Sequence, residues 1–253
     1  MPETQWNRLT AAELRGLAEK DAIVLLPVAS TEQHGPHLAT GVDTFLAGEG
    51  CRRIAERVVA HRPIIVAPTL WMGLAEHHMA FGGTFTLSLP TYHALIRELC
   101  NSILRAGFKK ILIVNGHGGN IAALTAMTTD LAMELKTPIA VTTLYSLPHE
   151  TEAYAKILED QKGVEHACEA ETSMMQAAFP DCVRGDKIAE AFGGRGEKPP
   201  GRSAINIWRS FKDRTPSGVM GDARKANAEK GAKLLDVAAD LLAEQLINGK
   251  IWR

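Results

Sequence analysis

The sequence predicts an α/β fold with a mostly parallel sheet, and three observations carry that prediction. Short, β-branched apolar runs alternate along the 253-residue chain with stretches of helical period, the pattern of a layered α/β domain. The apolar runs show no apolar–polar alternation, as befits strands buried on both faces. The densest polar, glycine-containing segments follow directly on two of those runs, where open α/β sheets place their sites.

The elements follow in chain order. Residues 10–20 read as a first helix, because Thr10 and Glu13 form a capping-box pair. Residues 22–29 (AIVLLPVA) make the first strand, 62–68 (RPIIVAP) the second, 84–89 the third, 110–114 the fourth and 138–144 the fifth. Helical periods occupy 45–60, 92–106, 121–136 and 166–178. A long alanine-rich helix closes the chain over 222–248, with Asp222 as its cap. Residues 193–201 (GGRGEKPPG) cannot form a regular element. That loop and its neighbour 202–211 are expected at a subunit interface near the active site. No composition shift or linker divides the chain, so residues 1–253 are expected to be a single domain.

Composition excludes several functions. Lys plus Arg number 28 and Asp plus Glu 29, a balance that offers no broad electrostatic grip on nucleic acid or an anionic membrane. Hydrophobic residues are 45% of the chain, enough for a sizeable core, yet no apolar run reaches the roughly 20 residues of a membrane span. The first twenty residues are polar and charged, with no apolar leader segment, so a cytoplasmic location is expected. Four widely spaced cysteines, Cys51, Cys100, Cys168 and Cys182, read as reduced thiols.

Chemistry concentrates in a few segments. Residues 30–43 (STEQHGPHLATGVD) follow the first strand. Glu32 and His34, two apart, share a side of an extended backbone, and Asp43 heads the next helix. As a polar loop with a helix cap the segment would be unremarkable; as a convergence of three metal ligands it would be a site. Residues 114–120 (VNGHGGN) also join a strand to a helix, and His117 is their one side chain suited to bind a metal directly. The glycines do not form a phosphate cradle, for neither G-x-G-x-x-G nor a P-loop Lys-Ser/Thr is present. In residues 164–173 (VEHACEAETS), read as helix, His166 and Glu169 share a face with Glu165, while Glu171 lies roughly 160° from Glu169. Residues 76–84 (EHHMAFGGT) add His77 and His78 before a Gly-Gly turn.

Together these segments resemble the creatininase (creatinine amidohydrolase) family of metal hydrolases. The resemblance rests on STEQHGPHL with Asp43, the VNGH motif and the H-x-x-E-x-E-T-S run from His166 to Ser173. The turn Phe81 to Thr84 and the SGVMGD stretch at 217–222 extend it over nearly the whole chain. It implies an α/β/α sandwich with two divalent metal ions, Zn²⁺ foremost, Mn²⁺ or Fe²⁺ as alternatives, in a homo-oligomer, with a hexamer favoured. By position Glu32, Asp43 and His117 would bind one ion, and His34 with bridging Asp43 the other, while His166 matches the family's catalytic histidine. Creatininase itself completes the second ion with a glutamate two residues after the loop histidine, a position held here by Gly119. The departure argues against creatinine as substrate and leaves a ligand missing, for which Glu169 is the expected replacement. Glu171, His78 and Gly118 are expected around the ligands or substrate. Tyr145, Arg202 and Trp208 are further candidates for the pocket wall.

Oxygen and imidazole ligands suit these metals. Two ions would lower the pKa of a bridging water, three carboxylates and a hydroxide balancing their charge, and His166 would protonate the leaving group. The expected activity is hydrolysis of a small polar molecule by opening a cyclic amide or cleaving a formamide-type C–N bond. Lactone opening on the same site, or a non-catalytic metal-bound scaffold, are the alternatives.

Overall fold

The computed structural model describes residues 2–193, 207–249 and 251–252. Its main sheet has four parallel strands, β1 (Ile23–Val28), β2 (Ile64–Val66), β3 (Lys110–Asn115) and β4 (Ile139–Thr143), in the order β2-β1-β3-β4. The register between β1 and β3 runs from Ile23↔Lys110 to Val28↔Asn115. The helices are α1 (Ala11–Glu19), α2 (Val42–Val58), α3 (Leu89–Arg105), α4 (Ile121–Leu135), α5 (Ser146–Glu150), α6 (Glu169–Ala178), α7 (Phe211–Arg214) and α8 (Ala228–Ile247). A two-stranded antiparallel pair, β5 (Phe192–Gly193) and β6 (Gly221–Asp222), lies apart.

The α/β fold is that of the sequence reading, and the strand composition explains it. Ile23 and Leu25 pack on one side with Leu46 and Ile54 of α2 and Leu235 and Leu242 of α8. Val24, Leu26 and Val28 pack on the other with Tyr92 and Ile96 of α3 and Leu124 and Met127 of α4. Both faces are covered, so every residue of β1 is buried and the sequence carries no alternation. From β1 the chain moves to β2 on one side, and from β3 to β4 on the other. The strand order therefore reverses between β1 and β3, and a crevice opens at their carboxyl ends.

Three expectations are corrected, and a fourth falls largely outside the described residues. Residues 84–89 form no strand beyond the single bridge of Thr86 to Gly73, because their amides are taken by loops: Phe85 N–H donates to Thr31 O and Leu87 N–H to Gly73 O. The final helix begins at Ala228, where Asn227 accepts from Lys230 N at 2.9 Å, while Asp222 caps the short turn Ala223–Lys225. The helix expected from residue 166 begins at Glu169, a difference with consequences for the site. The loop expected at 193–201 falls, from 194 onward, outside the described residues, as do 202–206 of its neighbour. Among the described residues no helix is long and apolar enough to cross a membrane.

Helix α6 lies directly on α8 because Gly231 has no side chain. A Cβ there would stand 1.8 Å from Ser173 O. The contact fixes the helix whose first turn carries Glu169 and Glu171.

Candidate metal centre and its cavity

The crevice between β1 and β3 collects the side chains that the sequence singled out. Glu32 and His34 come from the loop after β1, Asp43 from the first turn of α2, and His117 from the loop after β3; all four are at most 3% exposed. His117 Nδ1 lies 3.2 Å from Glu32 Oε2 and 3.0 Å from Asp43 Oδ2. His34 Nε2 lies 3.2 Å from Asp43 Oδ1 and 3.9 Å from Glu171 Oε2. Asp43 thus turns one oxygen to each imidazole.

The far nitrogens fix the tautomers. His117 Nε2 meets the Leu74 carbonyl at 3.1 Å and His34 Nδ1 the Glu32 carbonyl at 3.1 Å. A carbonyl only accepts, so these nitrogens carry protons and the opposite ones face the carboxylates. That is how metal-ligating histidines are held.

Two observations show that the donors fit cations. Glu32 Oε2, Asp43 Oδ2 and His34 Nε2 are buried with no hydrogen-bond partner, a costly arrangement unless something else occupies them. Two ligands each about 2.0–2.1 Å from a tetrahedral ion stand about 3.3 Å apart, close to the separations of 3.0 and 3.2 Å around Asp43. Compact donor groups among the described residues include Glu32, His34 and His166, and His34, Asp43 and Glu171.

In the absence of cations, protons balance the carboxylates. Burial pushes His34 and His117 down, but their carboxylate neighbours outweigh it. Asp43, Glu171 and Glu32 hold His34 up at about 9, and Glu32 and Asp43 raise His117 well above its ordinary value. Burial, with the charges of Asp43 and Glu32, lifts Glu171 to about 7 against the pull of His34. Burial would likewise raise Asp43, but its two imidazoles hold it below the usual carboxylate range.

The expected ligand Glu169 is elsewhere. Its fully buried carboxylate accepts from Asp160 N at 2.7 Å, Glu159 N at 3.0 Å and Lys230 Nζ at 2.6 Å. The helix-face argument failed because His166 is not on the helix. It lies in extended chain bridged to Met220, Ala167 turns through a left-handed φ of 50°, and Cys168 precedes the first helical residue. Glu171, expected nearby in a supporting role, faces His34 and accepts from Ala167 N at 2.5 Å. The Cys168 thiol, buried and pushed up to about 12, takes no part in the donor groups.

Gln33, which the sequence reading passed over, organises the outer imidazoles. Its Oε1 accepts from Gly35 N at 2.9 Å, which leaves the amide nitrogen to donate to His78 Nδ1 at 2.9 Å and toward Gly218 O at 3.3 Å. His78 then turns Nε2 to Glu32 Oε1 at 3.3 Å. His166 Nε2 donates to the Gln33 carbonyl at 2.8 Å, so its Nδ1 lone pair faces Glu32 Oε1 at 3.5 Å. Burial, then the neighbouring imidazoles His34 and His78, keep His166 well below its ordinary pKa. The position of Gln33 between Glu32 and His34 was the available signal.

Glu32, Asp43, His78, His117, His166 and Glu171 floor a cavity of about 750 Å³ whose wall includes His77, Gly118, Tyr145, Glu165, Phe211 and Arg214. Of the expected wall residues, His78 and Tyr145 line it, Trp208 lines a separate cleft, and Arg202 lies outside the described residues. A Cβ at Gly118 would meet nothing within 4 Å, whereas one at Gly119 would stand 2.4 Å from both His117 Nε2 and Leu74 O. Position 119 has no room for a glutamate side chain.

Comparison with known proteins agrees with this architecture. The sequence profile of the creatininase family, described as creatinine amidohydrolase, matches residues 7–246. The chain belongs to the creatininase family. It is 26% identical over 260 residues to the creatinine amidohydrolase of Pseudomonas putida, covering 96% of this chain and 94% of that one. It is 31% identical over 235 residues to a mycofactocin precursor peptide peptidase of Mycolicibacterium smegmatis, covering 91% and 85%. A 3-dehydro-scyllo-inosose hydrolase of Thermotoga maritima is 27% identical over 263 residues, with 96% and 82% covered. A creatininase crystal structure superposes with a TM-score of 0.81 at 24% identity, covering 97% of each chain. Similar structures include a Zn-Zn form and a Mn form. The relatives are hydrolases, and this creatininase-family chain is an enzyme of that kind with candidate metal-binding groups.

Proposed function

We propose that the protein is a dinuclear metal-dependent amidohydrolase whose substrate is not creatinine. The observation that carries the reading is Asp43, which turns one oxygen to each of two imidazoles inside a cluster of orphaned buried donors. Glu32, Asp43 and His117 would hold one divalent ion; His34, Asp43 and Glu171 would hold the other, with Glu171 in place of the expected Glu169. Zinc or manganese would suit the donors, and two such ions supply an acidified water and polarisation of the amide carbonyl.

The protein's own groups then handle the proton. His166 presents an unprotonated Nδ1 to the site, the form that accepts a proton from the attacking water. The water oxygen bonds to the carbonyl carbon, the C–N bond breaks, and the proton on Nδ1 passes to the departing nitrogen. Gln33 keeps that lone pair pointed inward by holding the ring at Nε2. Glu32 stays beside Nδ1, where its negative charge favours the transient imidazolium.

Removal of metals with a chelator is expected to abolish hydrolysis of a panel of cyclic amides, formamides and short peptides. Added Zn²⁺ or Mn²⁺ is expected to restore it. Full activity in a preparation shown to be metal-free by elemental analysis overturns the reading. The exposed, edge-to-face pair Trp71 and Phe85 supports the homo-oligomer carried over from the sequence. A monomer by light scattering at micromolar concentration contradicts that part.

A further inference from the structure

Arg214 is a cation on the cavity wall, and among the described residues no carboxylate lies within ion-pair reach of it. Its guanidinium lies over the Phe211 ring at 5.3 Å. Phe211 is buried, and its ring stands 4.3 Å from His78 and 4.7 Å from His166. Arg214 is itself exposed, but the ring it lies over is wedged against the site imidazoles, so the stacking draws its charge toward them.

We infer that Arg214 receives the carboxylate of a substrate whose scissile amide nitrogen belongs to an amino acid, either an N-acyl amino acid or the last residue of a peptide. The inference rests on the amidohydrolase reading and names the substrate class of that site. Placed end to end, the 5.3 and 4.7 Å contacts put the guanidinium within about 10 Å of the His166 ring. In an amino acid the nitrogen and the carboxylate carbon are about 2.5 Å apart across Cα. A hydrogen bond of about 3 Å at each end brings that span to about 8–9 Å, within that upper limit. A guanidinium takes a carboxylate through two parallel N–H···O bonds. The wall's acidic residue Glu165 and the floor carboxylates disfavour a phosphate dianion, for which the described wall supplies no second cation.

The test compares N-acetyl-alanyl-alanine with its C-terminal amide on the zinc-loaded protein, by competition binding and by rate of hydrolysis. The free acid is expected to bind at least about tenfold more tightly. R214Q is expected to bring that ratio to about one and R214K to leave part of it, with zinc content checked in each variant. An equal ratio in wild type and R214Q overturns the inference, as does binding of neither probe at millimolar concentration. Hydrolysis of both probes without preference keeps the amidohydrolase reading and removes the carboxylate subsite. An Arg214-dependent preference without hydrolysis keeps the subsite and removes the proposed activity.

Discussion

Replacing Glu169 and Glu171 one at a time separates a buried clamp from the proposed ligand two residues away. Glu169 is fully buried and accepts from two backbone amides and from Lys230, whose side chain is only 13% exposed. Lys230 keeps Glu159 at 2.6 Å when Glu169 is removed, but the Glu159 and Asp160 amides lose their acceptor, at about 1–3 kcal/mol each. For a chain of this size each kcal/mol moves Tm by about 2–4 °C, so Glu169→Ala is expected to lower Tm by about 4–24 °C. Its metal content, measured on folded protein by elemental analysis, is expected to stay at the wild-type value. Glu171→Gln has the opposite profile. It keeps an oxygen to accept from Ala167 N but no longer offers a carboxylate to His34, so metal falls by about one equivalent while the metal-free Tm changes little. Loss of metal in Glu169→Ala with wild-type content in Glu171→Gln refutes the assignment and reinstates Glu169 as the ligand.

Three further outcomes are expected. Gly119→Ala places a methyl against Leu74 O and His117 Nε2, so it is expected to weaken metal affinity by tenfold or more, read by competition with a chelator; Gly118→Ala, which meets nothing, retains affinity. In the metal-free protein His34 stays protonated up to about 9 when folded, against an ordinary value of 6.5. Its contribution is full below pH 6.5 and lost as pH rises through 9, so Tm of the metal-free form is expected to fall across that window, whereas the zinc-loaded form shows a flatter profile. Gly231→Ala drives α8 away from Ser173 O and is expected to reduce both Tm and metal content, because α6 carries Glu171; a change confined to Tm shows the helix contact to be independent of the site.

Much of this was legible in the residues. The strands were readable because burial on both faces leaves uninterrupted apolar runs such as 22–29. Glu32, His34, Asp43 and His117 stood out as ligand-type residues placed where strands end. Glu171 was misjudged because helical spacing was extended back to His166, when the left-handed Ala167 breaks the chain direction before the helix begins. A single alanine carries no mark of a positive φ, so local sequence could not reveal that break. Gln33 and Arg214 were missed for a different reason. Gln33 acts through partners far along the chain, His166 and Gly218, and Arg214 through Phe211, three residues away, whose ring only the fold sets beside His78 and His166; neither residue type announces such a role by itself. The strand expected at 84–89 illustrates the same limit, since nothing in its residues tells that its amides bond to loops.

The dispersal of the donor groups along the chain has a consequence for assembly during synthesis. Glu32, Asp43 and His117 are all available once the first half of the chain has emerged and β1 and β3 have paired. The group of His34, Asp43 and Glu171 waits for α6, which is itself held in place by α8 at the very end of the chain. The two donor groups therefore mature at different chain lengths, the second only when the last helix docks. On the proposed two-ion reading, a C-terminally truncated chain is expected to hold one cation but not both, so a full complement of metal would report that α8 has docked.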